Sequence, residues 1–560
     1  MPKSKPSKNY KLMRQISSKI RKLDASEDVQ YLIIYSFLYK YCSDSLKDYL
    51  LSSIADKEIT LDEAYEKIKP DLKTDAIKTF GFFINDADYF IDDVINSAFS
   101  GRFFTHHFFS AFRQNVEFEE GSNYEKYFSF IFDAVEHAVN FSKFEYVGEK
   151  HLVVKDIIYA ISRLDVFEDR FPFTKVFDRI CQSKPVAVDH DPDYITNLIS
   201  SIVASNAESP KNVYNPFLND GSLLINLCSE FKMPWKMTYA KSQDKITYCS
   251  SIVKLLMEYF DLDCVYSELD NPFEPFKNAE EKFDVIMSRF PPITSKNLRR
   301  INESQSYEIA KRNKKSEIKD LLSDKYNINP ESFETDSELS GALESLISKM
   351  DLKNDIEIKF TGEYASLKDS EYLFLINMIN SLSDDGIMVV GMSQSFLVKN
   401  SLETLRKYLT CEMNHIDAII SVPDELTRPS GLEIVVVFKK HKTTDDIVFI
   451  DMSNDYETRA APFATPGVFR RNLILDDSTV GKVNDVYKNR LTVDKFSNVV
   501  KISQIKDDDY NLSISRYVDT FEGEFINLND LKNQKKEFTQ NIEVLNEKIE
   551  KMMDDLGIRY

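Results

Sequence analysis

The chain has 560 residues, 42% of them hydrophobic, and a formal charge of −20, which is enough for several domains with real cores. So large an excess of carboxylates repels a phosphate backbone, so any nucleic-acid binding has to use a local basic surface or a basic partner. The first residues, MPKSKPSKNYK, hold no apolar segment and no run of about 18 apolar residues follows, so a cytoplasmic protein with no membrane span is expected.

Six cysteines stand singly, without CxxC pairs and without His at metal-ligand spacing, which predicts ordinary thiols and no metal site. From residue 8 to about 165 the segments KLMRQISSKIRKL, EDVQYLIIYSFLYKYCSDSLKDYLL and NYEKYFSFIFDAVEHAVNF repeat apolar residues at three and four spacing. This predicts a helical N-terminal domain over 1–165, with its many Phe and Tyr serving as core.

Beyond residue 166 the period changes. NVYNPF precedes DGSLLINLCSEF, KMTYA precedes ITYCSSIVKLLMEYF, and FDVIMS, GIMVVGM, IDAIISV, LEIVVVFKK and DIVFIDM follow. Short apolar runs alternating with helices predict an α/β domain over 166–455, an open, mostly parallel sheet with helices on both faces and a ligand beyond the carboxyl ends of its strands. Between 295 and 367 the alternation gives way to the charged stretch KNLRRINESQSYEIAKRNKKSEIKDLL. It reads as an insertion, and with Glu and Asp interleaved among its Lys and Arg a solvated face is the simpler account than a DNA contact. A C-terminal extension, 456–525, leads to a tail, 526–560, in which Leu531, Phe538, Leu545 and Met552 recur at heptad spacing with Ile542, Ile549 and Leu556 between them. That seam predicts a coiled-coil helix with a partner helix.

Taken in order, these segments resemble the DNA-modification subunit of type I restriction-modification systems, in the adenine N6 DNA methyltransferase family. The residues that carry the resemblance are DAIKTFGFFI (Asp75 to Ile84), VYNPFLNDGSLLINL, FDVIMSRFPPI, SLETLRKYLTCEMNHIDAIISVPDEL and DDDYNLSISRYV (Asp507 to Val518), and then the heptad tail. The resemblance implies a Rossmann-like methyltransferase sheet, S-adenosylmethionine as cofactor, a separate DNA-specificity subunit, double-stranded DNA reached through the complex, and a restriction subunit as a further partner.

It also assigns roles by position. Asn215, Pro216 and Gly221 would hold the cofactor's methionine end, Ser242 would stand where an acidic residue accepts the ribose hydroxyls, and Asp270 would meet its adenine. Asn219 and Asp220 replace a Gly and a small polar residue; Asn tolerates left-handed backbone, while the Asp220 charge weakens binding unless it points away. Phe290, Pro291, Pro292 and Ile293 occupy the catalytic motif. There an Asn or Asp before two Pro accepts the N6 hydrogens and an aromatic residue after them stacks on a flipped base. Phe290 offers no side-chain acceptor and Ile293 no ring. AVDHDPDYI, Ala187 to Ile195, replaces a segment preceding the first motif; there His190 reads as a surface residue and Asp191 and Asp193 as helix-start residues. The expectation is a subunit whose methyl transfer is weak or lost, against the alternative of an active adenine methyltransferase.

Overall fold

The computed structural model describes residues 7–23, 27–54, 60–67, 69–98, 104–139, 149–183, 191–207, 210–230, 236–240, 245–258, 266–269, 282–290, 375, 378–423, 434–453, 457–460, 471–475, 477–520 and 528–555. The charged insertion and Cys264 lie outside them.

The N-terminal part is built around one long helix. Helix α1 (Lys8–Ile20) starts at Ser7, whose hydroxyl accepts the amide hydrogen of Tyr10 at 3.0 Å, the usual way of satisfying a first-turn donor. Helix α2 (Glu27–Ile54) is buried on most sides, which explains why its sequence is apolar nearly all round. The ring of Tyr39 stacks on Phe112 of α3 (Phe104–Asn115) with centroids 4.4 Å apart, and Phe82 and Phe132 are buried beside them. The aromatic residues are therefore core, as helical spacing implied. Two three-residue strands, β1 (Phe82–Ile84) and β2 (Val116–Phe118), pair antiparallel within this helical region. Gly81 makes the turn into β1 at φ +77°, and a Cβ there would enter the ring of Tyr124 on α4 (Asn123–Ala138).

Helices α5 (Phe173–Cys181) and α6 (Asp193–Asn206) lead into the sheet domain. Its strands are β3 (Asn212–Asn215), β4 (Lys236–Ala240), β5 (Tyr266–Leu269), β6 (Phe283–Arg289), β7 (Leu382–Met392), β8 (Ile416–Ser421), β9 (Ile434–Lys439) and β10 (Asp446–Ile450). A separate two-stranded ribbon joins β11 (Glu457–Ala460) to β12 (Arg471–Ile474), and β13 (Ser497–Lys501) returns to the main sheet. Among the described residues the main sheet runs β13-β10-β8-β9-β7-β6-β3-β4-β5. From β7 to β5 every pairing is parallel, as is β10 with β8. The antiparallel pairings are β9 with β7 and β8, and β13 with β10. A segment as short as 422–433 between β8 and β9 favours an antiparallel return over a helical crossover.

Both faces of this sheet are covered, so strands such as Ile434–Lys439 are apolar without alternation. One face packs Val213, Val285 and Met287 toward α6, α7 (Ser222–Glu230), α8 (Lys245–Glu258) and the N-terminal helices. The other packs Tyr214, Ile286 and Phe438 under residues 396–409 and the segment Leu512–Val518. Here the ring of Tyr517 lies 4.5 Å from that of Phe449, its hydroxyl donates to the Asn511 carbonyl at 2.7 Å, and Leu512 N donates to Leu397 O. The DDDYNLSISRYV stretch is thus a cover for the sheet.

On the other face of the same strands, helix α9 (Asp477–Asn489) joins the fold through a buried charge cluster. Asp417 accepts from the Tyr487 hydroxyl at 2.6 Å and from Arg490 at 2.8 Å, with Lys439 at 3.4 Å and Lys442 at 3.9 Å. Burial pushes the Asp417 carboxyl up, but Lys439, the Tyr487 hydroxyl, Arg490 and Lys442 outweigh it and hold it below the usual carboxylate value. Burial pushes the Lys442 ammonium down to about 8. A carboxyl whose pKa falls on folding stabilises the native state above about pH 4, and that contribution disappears as pH falls through the folded value. Asp417→Asn is therefore expected to cost about 2 kcal/mol at neutral pH and to flatten the acid limb of the stability profile. Urea titrations between about pH 3 and pH 7 would show an unchanged acid limb if the cluster did not act this way.

The tail is a 28-residue helix, α10 (Leu528–Asp555). Its heptad residues Phe538, Ile542, Leu545, Ile549 and Met552 are between 53% and 65% exposed, so the seam is not docked on the chain's own body. No described helix is long and apolar enough to cross a membrane. Cys42, Cys181, Cys228 and Cys249 are buried free thiols and Cys411 is half-buried. The described residues hold no cluster of metal-ligating side chains.

Candidate functional site

The strands that follow β3 in sequence go to one side of it, β4 then β5, and those that come later, β6 then β7, go to the other. The gap between the carboxyl ends of β3 and β6 is therefore the topological switch point, where open α/β sheets take ligands. Asn215 ends β3 and Arg289 ends β6, so the two motifs singled out in the sequence meet at this place.

On the β3 side the chain makes a tight turn into α7. The buried Asn215 uses Oδ1 to accept from Phe217 N at 3.1 Å, while its Nδ2 has no protein partner. Pro216 is buried beside it. Asn219 adopts φ +46° and Gly221 φ +78°, and Gly221 N closes the turn on Leu218 O at 2.8 Å. Asn219 thus takes the left-handed backbone for which it was read as suited, and the turn survives the loss of a glycine there.

The charge of Asp220 points away from the crevice. Its carboxylate accepts from Ser222 N at 3.1 Å and from Ser222 Oγ at 2.8 Å, at the first turn of α7, where a carboxylate also meets the positive end of the helix dipole. Lys254 of α8 lies 3.5 Å behind it. One turn earlier on α8, Ser251 Oγ donates to the Asn219 carbonyl at 2.7 Å.

On the β6 side the arrangement is unlike a base-binding motif. Phe290 is 3% exposed, packed edge-on against Phe217 with centroids 5.9 Å apart, and its amide donates to Gly391 O at 3.1 Å. It is a core residue, with no acceptor to present. Ser288 is fully buried and its hydroxyl has no protein partner. The Arg289 guanidinium turns to the other face, where Nη1 donates to Asp191 Oδ1 at 2.8 Å. Asp191 in turn accepts from Asn219 Nδ2 at 3.0 and 3.2 Å. Burial pushes the Asp191 carboxyl up, Arg289 pulls it back and Asp220 adds to the rise.

Asp193 stands in the first turn of α6, as read from the sequence, whereas the fully buried Asp191 is a bridge between the two halves of the site. Neither it, Arg289 nor Lys254 was marked by the sequence as a linked group. A buried charge needs a partner, but the partner lies 98 residues away for Asp191 and 34 for Asp220. Ser242 and its neighbour Asp244, Asp270, Pro291, Pro292, Ile293 and His190 lie outside the described residues. The described part of the β3 turn fits a polar ligand group through the unpartnered amide of Asn215 and the glycine-assisted turn. At the described end of β6 the Phe290 side chain offers no hydrogen-bond acceptor.

The sheet and its crossover helices have the fold of solved methyltransferase subunits. Residues 345–524 match the family model for N-6 DNA methylases. A type I restriction enzyme methylase subunit, MpnII of Mycoplasma pneumoniae, is 21% identical over 98% of this chain and 96% of its own. The MjaVII methylase subunit of Methanocaldococcus jannaschii is 35% identical, over 19% of this chain and 18% of its own. Among solved structures, the type I restriction-modification methyltransferase subunit of Streptococcus thermophilus superimposes with a TM-score of 0.64 at 18% identity, covering 92% of this chain and 99% of that one. A modification subunit ascribed to a type I restriction enzyme of Vibrio vulnificus gives 0.53 at 11% identity over 90% and 94%. The chain is thus similar over nearly its whole length to a type I restriction enzyme methylase subunit, and over residues 345–524 to the N-6 DNA methylases.

Proposed function

We propose that this chain is the modification-subunit component of a type I restriction-modification complex, and that its adenine N6 methyl transfer is weak or lost. The observation that carries the second part is Phe290, whose ring is packed on Phe217 in the core where an acceptor would have to face the base. Asp191 and Arg289 add to it, since both charges are directed at each other between the two motifs. S-adenosylmethionine, when bound, supplies an electrophilic methyl group; Asn215, Pro216 and Gly221 are the residues placed to hold it. Their retained turn is what favours the second reading, an active enzyme.

The complex is proposed to form through the exposed heptad face of α10 with a DNA-specificity subunit, a restriction subunit being a further partner. Double-stranded DNA is then reached through the complex, consistent with a chain charge of −20. Titration calorimetry with S-adenosylmethionine, with and without the specificity subunit, tests the site. Heats indistinguishable from dilution, or a dissociation constant weaker than about 1 mM, are expected. A constant of roughly 1 μM together with methylated adenine in target DNA would overturn the inactive reading.

A further inference from the structure

We propose that Lys254 is the positioning residue of the strand-end turn: a single buried cation that fastens residues 219–222 to the helical layer and sets the shape of the cleft without help from a ligand. The inference deepens the reading above, in that it takes 215–222 as the cofactor turn.

Lys254 lies on α8, and its side chain is only 8% exposed. Its Nζ lies 2.9 Å from Asp178 Oδ1 on α5 and 3.5 Å from Asp220 Oδ2, and it donates to Ser222 Oγ at 2.7 Å. Helix α5 is itself anchored to the N-terminal core, with the rings of Phe173 and Phe177 lying 5.4 and 5.3 Å from that of Phe37 on α2. The Lys254 ammonium thus links the turn to α5 and through it to the N-terminal core, beside the Ser251 hydrogen bond from α8 to Asn219. From Asp220 the chain of contacts continues through Asn219 to Asp191 and Arg289, ending one residue before Phe290.

The charges explain why Lys254 matters more than a typical ion-pair partner. Lys254 pairs with both Asp178 and Asp220, and Arg289 pairs with Asp191. Burial pushes the Lys254 ammonium down, but Asp220 and Asp178 outweigh it and hold the group above its usual value. Without Lys254, Asp178 and Asp220 would lose the cation they share. One of them is then driven to take up a proton or move toward water, and the turn moves more easily than a helix whose Phe173 and Phe177 rings pack on Phe37.

Hydrogen exchange read by mass spectrometry, on the full chain with no cofactor added, tests this. In Lys254→Met the amides of residues 219–222 are expected to exchange roughly tenfold faster while β8 and β9 keep their protection. Lys254→Met with Asp220→Asn removes the turn's charge along with the cation, leaving only Asp178 on α5, and is expected to recover most of the protection of the turn, as a double-mutant cycle on a direct contact should. Loss of protection spread over the whole chain with no recovery in the double variant, or unchanged exchange in the turn, overturns the proposal. Should Lys254→Met fail to fold, Asp220→Asn alone must loosen the same four residues, because it removes the turn's half of the contact and leaves Lys254 on Asp178. Titration of the unaltered protein with S-adenosylmethionine answers separately: tight binding there refutes the weakened-site reading and leaves the exchange result on Lys254 to stand or fall by itself.

Discussion

Replacing Arg289 by alanine is expected to destabilise the protein by about 3–5 kcal/mol, the range observed when one member of a buried ion pair is removed. Its side chain is 5% exposed and that of Asp191 fully buried, so neither is screened by solvent. The loss comes less from the missing Coulomb attraction than from a carboxylate left without its cation, held by the Asn219 amide. Arg289→Met combined with Asp191→Asn tests that account, because it removes both charges and keeps a side chain that Asn219 can still reach. Guanidinium titrations should show the double variant recovering more than half of the loss. Equal instability in the single and double variants would mean that shape, not charge, was being measured. Hydrogen exchange carries a second reading: with the pair gone, the double variant should also show faster exchange at residues 219–222 than the unaltered protein.

How much of this was legible in the sequence depends on the range of the interaction. The helices and strands were readable because their cause is local: periodic apolar residues over 8–165, and short apolar runs such as Ile434–Lys439 covered on both faces. The position of the site was readable too, since a strand ending in Asn215 and another ending near Phe290 had to meet at the switch point. Asn219 in left-handed backbone was foreseeable from the residue type alone. The direction of the Asp220 side chain was not, because it is decided by Ser222 and by Lys254 on another helix. Asp191 illustrates the same limit. Beside Pro192 it reads as a helix-start residue, and only the fold brings it to Arg289. The antiparallel β9 was likewise hidden, since a strand's direction is set by how the chain returns and not by its own residues.

Phe538→Asp with Leu545→Asp is expected to abolish assembly with a specificity subunit while leaving the chain's own melting temperature within a degree or so. The two residues are 65% and 56% exposed on α10, seven apart on the same face. Aspartate there removes no contact within the chain, which is why the fold should not notice. In a helical pair the same positions are knobs, and inserting a charge between packed apolar side chains costs a few kcal/mol at each site. At about 1.4 kcal/mol per tenfold in affinity, the two together weaken association by at least roughly a thousandfold. Co-purification of the paired subunits followed by sedimentation of the mixture measures it. Unimpaired assembly would remove α10 from the interface and leave its apolar face without the role proposed for it. Substitution of exposed polar residues on the opposite face, for instance Lys536→Ala or Glu543→Ala, should change affinity little, since such charges sit outside the heptad seam and are screened by salt.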